Sequence, residues 1–233
     1  MLEIKECDRW IQFSEEYDIK VFSLTKNPER RKQILEKIKI GKILNLGCGS
    51  TSYLNRDLIK QGNHVTAIDF CQSMIDVSKR EFSDKNLEFE LVDAINMPYN
   101  NNLFDSVISI NSILPPERNE IYKIINEIYR VLIKGGKFVS FLTSFDSCVD
   151  LNKNYNINLE LDEEHLRVID TTGCQCFHTK ESIINMLKLA GFLNYNIEKV
   201  LLNSDEEISE IERLYGINTS KYPVYEYLVT ATK

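Results

Sequence analysis

No run of this chain approaches the ~20 consecutive apolar residues that a helix needs to cross a bilayer. Its opening segment, MLEIKECDRW, is charged and lacks the apolar centre of a signal peptide. Both absences point to a cytoplasmic protein with no membrane partner. Positive charge is also short: 28 Lys and Arg stand against 35 Asp and Glu, a net −7. That balance argues against a surface that grips long nucleic acid through its phosphates. The one basic cluster, KNPERRK (Lys26 to Lys32), reads as the solvated first turns of a helix, with contact to an anionic acceptor as the alternative. Six cysteines (7, 48, 71, 148, 174, 176) follow no framework spacing, so no disulfide scaffold is expected and the thiols should be reduced. Histidine is scarce, with three in the chain, so imidazole chemistry has only His64, His165 and His178 to draw on. No internal repeat or low-complexity linker marks a boundary, and 233 residues fit a single domain over 1–233.

The most informative stretch is KILNLGCGSTSYLNRDLIKQGNHVTAID, from Lys42 to Asp69. It reads as a short apolar strand, a glycine turn, a helix over about Ser52 to Gln61, and a second strand ending on an acid. This is the first half of a nucleotide-binding βαβ unit. Gly47 and Gly49 allow a sharp turn and close approach to a ligand, which a Cβ would prevent. Asp69, at the tip of the second strand, can accept hydrogen bonds from both hydroxyls of a ribose. A dinucleotide site would show G-x-G-x-x-G, but the third position is Ser52, so that fingerprint fails.

Further along, Leu87 to Val92 forms a third strand followed by D-A-I-N-M-P-Y (Asp93 to Tyr99), and Phe104 to Ile110 a fourth with Asn111 at its carboxyl end. Ligand-contacting groups gather at that edge in open α/β sheets. Glu117 to Ile133 is an amphipathic helix, Gly135-Gly136 ends it, and Lys137 to Leu142 is a fifth strand. After a poorly periodic stretch, Ser182 to Ala190 reads as a helix, Leu193 to Leu202 as a strand, Asp205 to Leu214 as an acidic helix and Tyr225 to Thr230 as the last strand. At the other end, Trp10, Phe13 and Tyr17 recur at helical spacing, and Asn27-Pro28 opens a second helix through Ile40.

The segment ILNLGCGS resembles the first motif of the class I S-adenosylmethionine-dependent methyltransferases, with Asn45 where that family usually has Asp and Thr51 where it has a third Gly. D-A-I-N-M-P-Y and R-V-L-I-K-G-G match two further family motifs. The resemblance implies a doubly wound, Rossmann-like α/β sheet of seven mostly parallel strands in the order 3-2-1-4-5-7-6, with strand 7 antiparallel. It implies a helical lid over 1–40 and acceptor-side insertions over 143–178 and 203–223. It also implies S-adenosyl-L-methionine as cofactor, held by the motif residues Gly47, Cys48 and Gly49, by Asp69, by Phe70 and Met74 near the adenine, by Asp93 and Ala94 on its polar edge, and by Asn111. Each has a plainer reading: Phe70 and Met74 as core, Asp93 as a cap after a strand.

The expected reaction is methyl transfer to a small-molecule acceptor, driven mainly by proximity and orientation. A macromolecular acceptor (tRNA or protein) would want a basic face, which the composition does not supply. A non-catalytic cofactor-binding protein is the third reading. Candidate acceptor-side groups are His178, His165 and Tyr17, with Trp10 beside Tyr17 in the lid; structural packing is the alternative for each. Cys174, Cys176 and His178 alternate at period two, which could suit a soft metal, but a fourth ligand of recognisable spacing is missing, so no metal is expected. The assembly is expected to be a monomer or homodimer.

Overall fold

A computed structural model describes residues 10–11, 26–170 and 173–233. Seven strands form one sheet: β1 (Lys42–Leu46), β2 (His64–Asp69), β3 (Leu87–Leu91), β4 (Phe104–Ile110), β5 (Leu132–Thr143), β9 (Asn194–Leu202) and β10 (Val224–Thr232). Their spatial order is β3-β2-β1-β4-β5-β10-β9, parallel throughout the first five. Strand β10 lies antiparallel between β5 and β9. This is the doubly wound order expected from the motifs, with β10 in the place of strand 7.

The two central strands are hydrophobic on both faces, as a parallel sheet covered by helices demands. Leu44 and Leu46 of β1 point into a core completed by α4 (Arg118–Val131) and α6 (Lys180–Ala190). Ile43 of β1 and Ile108 of β4 point into a second core, completed by α1 (Pro28–Leu35), α2 (Tyr53–Lys60), α3 (Gln72–Glu81) and α7 (Asp205–Tyr215). On α4 the buried stripe is Ile121, Ile124, Ile125 and Ile128, each stabilising the fold by about 1.5–3 kcal/mol.

Three differences from the sequence-based expectation have physical causes. First, α1 stops at Leu35 rather than Ile40, because the chain beyond it is captured by the sheet. The Ser106 hydroxyl receives the Lys39 N–H at 2.8 Å and donates to the Lys39 carbonyl at 3.0 Å. Gly41 then makes the entry to β1 at φ 147, where an added Cβ would lie 2.2 Å from the Asp105 carboxylate. Second, β5 begins at Leu132 rather than Lys137, since the Gly135 turn is itself tied to the sheet by its N–H on the Lys233 carbonyl. Third, the aperiodic stretch after β5 is ordered: α5 (Phe145–Tyr155) followed by a small antiparallel sheet of β6 (Glu160–Asp162), β7 (Arg167–Asp170) and β8 (Gly173–Cys176). Strands of three or four residues carry too few alternations to be read as a pattern. Their own small core, Phe145, Cys148 and Val168, anchors this layer.

Candidate functional site

The loops at the carboxyl ends of β1 to β4 enclose a cavity of about 310 Å³. Gly47 and Gly49 form its floor with φ of 66° and 62°, a left-handed geometry that favours glycine. A Cβ on Gly47 would stand 2.2 Å from the Ser112 Cβ, whereas one on Gly49 would meet no protein atom within 4 Å. Gly47 is thus required by the protein, and Gly49 leaves space at the cavity wall. The Asp69 carboxylate orders this turn: Oδ2 receives the Gly49 N–H and Oδ1 the Cys71 N–H, each at 3.0 Å. Burial pushes its carboxyl up to about 6, against the lowering effect of the Cys71, Gly49 and Phe70 backbone N–H groups. These N–H groups do not exhaust an ionised carboxylate, which has about four acceptor sites.

Phe70, Met74, Asp93, Ala94 and Asn111 complete the polar and aromatic walls. Phe70 is exposed and Met74 buried, so only the second doubles as core. Asp93 also closes its own turn, with Oδ1 receiving the Ile95 N–H at 2.9 Å. The turn after it is bolted to α4: Glu127 receives the Met97 N–H at 2.7 Å, and Arg130 donates to the Met97 carbonyl at 2.9 Å. The Asp-Ala to Pro-Tyr motif is therefore held from a helix thirty residues on.

A second cavity of about 230 Å³ adjoins the first, and Trp10, Asn111 and Leu114 line both. Its walls come from the layer after β5 (Ser147, Cys148, Leu159, Val168, Phe177), from α7 and from β10. Most are apolar. At the junction Asn111 adopts φ 50°, a conformation that Asn tolerates better than most side chains. Its Nδ2 donates to Glu226 Oε1 at 2.7 Å. Glu226 is 5 % exposed, and burial lifts its carboxyl to about 7. Next to it, Arg30 of α1 is locked to Glu207 of α7 through Nε–Oε1 at 2.6 Å and Nη2–Oε2 at 2.9 Å.

A family model described as a methyltransferase domain matches residues 44–140, which carry the glycine turn, Asp69, Asp93 and Asn111. Over these residues the chain is similar to the methyltransferase domain family. A demethylmenaquinone methyltransferase of Clavibacter sepedonicus is 25% identical over 165 residues, covering 65% of each chain. A probable tRNA methyltransferase 9B of Homo sapiens is 26% identical over 120 residues, 50% of this chain and 25% of that one. This chain therefore spans less than two thirds of the length of either relative. A solved protein of Pyrococcus horikoshii superposes with a TM-score of 0.68 at 24% identity, covering 94% of this chain and 99% of that one. The cofactor of this family is S-adenosylmethionine. The first cavity fits it: Gly49 leaves open space at the floor, and a desolvated carboxylate with acceptor capacity to spare stands at a strand tip.

Eight of the nine cofactor-side residues expected for a methyltransferase of this kind line the first cavity: Gly47, Gly49, Asp69, Phe70, Met74, Asp93, Ala94 and Asn111. Cys48 does not. Its side chain packs in the core beneath the turn with Leu54 and Leu58, and burial raises its thiol pKa well above the usual range. Its N–H is spent on the Ile68 carbonyl at 2.9 Å. Asn45, in the family's acidic position, likewise faces away: its Nδ2 donates to Asn55 Oδ1 at 2.8 Å, joining β1 to α2.

The acceptor-side candidates fare differently. His178 lines neither cavity. It is completely buried, with Nε2 3.1 Å from the Ile113 carbonyl, and burial lowers its imidazole to about 4. It is a neutral, buried group whose side chain ties the segment before α6 to the loop after β4. His165 sits exposed in a turn, with Nδ1 3.0 Å from Asp162, and lines neither cavity. Tyr17 lies outside the described residues, while Trp10 borders both cavities. Among the described residues no group of three His, Cys, Asp or Glu side chains is arranged to hold a metal. Sequence reading missed Glu226 and the Arg30–Glu207 pair. Glu226 lies in YEYLVT, where an acid between aromatics reads as an outward-facing strand residue.

Proposed function

We propose that this chain transfers a methyl group from S-adenosylmethionine to a small-molecule acceptor seated in the second cavity. The observation that carries the reading is the shared wall: Asn111 and Leu114 border both cavities, so ligands in the two would meet there. Bound in the first cavity, S-adenosylmethionine would supply a methyl carbon made electrophilic by its sulfonium. The chain's part is to position. Asp69 would accept the ribose hydroxyls, Asp93 the adenine amine, and the Ala94 N–H would face the ring. Phe70 and Met74 would pack against it, and Gly47 and Gly49 would let the backbone come close. Holding two reactants in line converts a bimolecular step into a nearly unimolecular one, and the apolar walls keep water out of that line.

The size and chemistry of the second cavity favour a small acceptor, and the net charge of −7 favours it over an RNA. The layer of residues 143–178 and the segment 203–223 would serve as the acceptor side, and the segment 1–40 as its cover. Calorimetric titration with S-adenosylmethionine and S-adenosylhomocysteine tests the cofactor half. A screen with methyl-labelled cofactor against metabolite, RNA and protein fractions tests the acceptor half. Label in the metabolite fraction is the expected result. Label confined to RNA or protein overturns the small-molecule reading, and absence of binding overturns the whole proposal.

A further inference from the structure

The junction of the two cavities has an excess of hydrogen-bond acceptors. Because an ionised carboxylate can only accept, Asn111 must turn its amide nitrogen to Glu226, which leaves its own oxygen without a donor. Among the described residues, Asn111 Oδ1, Glu226 Oε2 and Thr143 Oγ1 are all buried and without a hydrogen-bond partner. They come from three adjacent strands, since Glu226 of β10 is in register with Thr143 of β5 and Asn111 follows β4. All three residues line the second cavity, and Asn111 lines the first as well. Buried polar atoms left without partners are rare in folded proteins and ask for an explanation.

Charge asks the same question. The charged groups facing Glu226 are Arg30 from α1 and Glu207 from α7. Those two neutralise each other in a bidentate pair, and Arg30 spends a further N–H on the Leu201 carbonyl at 2.6 Å. Strands β4 and β5 add only the neutral Asn111 and Thr143. Among the described residues, Glu226 is thus an acid without a counter-cation of its own in a largely apolar wall.

We infer that Asn111, Thr143 and Glu226 form a site for the primary amine of an otherwise apolar acceptor. An ammonium brings three N–H donors and one positive charge, matching three orphan acceptors and one unbalanced carboxylate; a hydroxyl would bring one donor and no charge. The apolar walls of α5, α7 and the small sheet would take the rest of the molecule. The ammonium's N–H bond breaks toward Glu226, an O–H bond forms on Oε2, and the electron pair stays on nitrogen as the lone pair that methylation requires. The inference rests on the second cavity being the acceptor side. A carboxyl titrating near 7 suits such a proton exchange at neutral pH.

The test is direct binding of n-hexylamine, with n-hexanol as the donor-poor match, to the full chain by NMR titration without cofactor, then with saturating S-adenosylhomocysteine. Hexylamine should bind at least about tenfold more tightly than hexanol. Glu226→Gln should cost about tenfold, and Thr143→Val, which keeps the shape, about threefold. Hexylamine binding should strengthen from about pH 6 to about pH 8 in the native chain and stay flat in Glu226→Gln. It should survive saturation with S-adenosylhomocysteine. Equal binding of hexanol, or full retention of hexylamine by a folded Glu226→Gln, overturns the amine site. Displacement by S-adenosylhomocysteine, together with weaker binding of that ligand to Glu226→Gln, reassigns the cluster to the cofactor's own amino group and also overturns the inference. If S-adenosylhomocysteine binds and hexylamine does not, only the amine site fails; if hexylamine binds and S-adenosylhomocysteine does not, the methyltransferase reading fails instead.

Discussion

The two cavities are built by opposite means. The first is local: a β-turn-α-β unit supplies Gly47, Gly49 and Asp69 within 23 positions of sequence, and each residue shapes its neighbour's backbone. The second is assembled from a distance, with Asn111 and Glu226 separated by 115 positions yet 2.7 Å apart. A local socket can be exact in its demands on single residues, because the turn and the ligand wall are the same backbone. An assembled one spreads its demands over packing and charge balance, so single changes there should be milder.

Gly47→Ala is the most severe break of the first cavity. The new methyl would lie 2.2 Å from the Ser112 Cβ, on a residue held at φ 66°. Overpacking and the left-handed backbone together should cost about 3 kcal/mol or more, and the melting temperature should fall accordingly. Ser112 cannot step back freely, because its hydroxyl is fixed to the Leu46 carbonyl and to Ser109 at 2.7 Å each. Asp69→Ala comes next. It should weaken S-adenosylhomocysteine about 10–100-fold by calorimetry, the worth of one or two hydrogen bonds to a charged group. In the native chain that affinity should also drop as pH falls through about 6, where Asp69 takes up its proton. A flat pH profile would mean that the carboxylate does not face the ligand.

Glu226→Gln probes the second cavity and should have the opposite sign on stability. The folded carboxyl titrates near 7, above its ordinary 4.5, so the folded state holds the proton more tightly than the unfolded chain. This contribution is full below about pH 4.5 and is lost as pH rises through about 7. At pH 8 the buried charge costs at most about 3 kcal/mol, and the variant should be more stable than the native chain by about 1–3 kcal/mol. Near pH 5 the two should melt within a degree or two of each other. Equal stability at both values would show that Glu226 has a cation the structure does not give it.

The same contrast decides what could be read from the sequence. The sheet order and the antiparallel β10 are what the resemblance implied, and short-range patterns (glycine spacing, an acid at a strand tip, Asp-Ala before Pro-Tyr) pointed to residues of which eight of nine line the first cavity. Cys48 fell inside the motif but outside the cavity, because a motif marks the backbone path and does not say which side chains leave it. The small sheet β6-β7-β8 was illegible, its strands being too short to show a period. His178 stands in the sequence as a candidate acceptor-side group with packing as the alternative; its complete burial and bond to Ile113, which decide for packing, are tertiary facts. Glu226 was hidden for the converse reason. An acid in a strand reads as solvent-facing until the sheet shows β9 and β5 on either side of it and α7 above.

Cys48→Ala gives the mildest and most discriminating result for the local socket. The native thiol is held neutral in the core beneath the turn, so the change removes one buried sulfur and no charge. It should lower stability by about 1 kcal/mol. The backbone is what the turn uses: the Cys48 N–H bonds to Ile68, the glycines on either side carry the left-handed angles, and alanine preserves all of it. S-adenosylhomocysteine affinity should therefore stay within about twofold of the native value. A tenfold loss with stability intact would put the sulfur against the ligand, and the division between a backbone that shapes the socket and side chains that stabilise it would have to be redrawn.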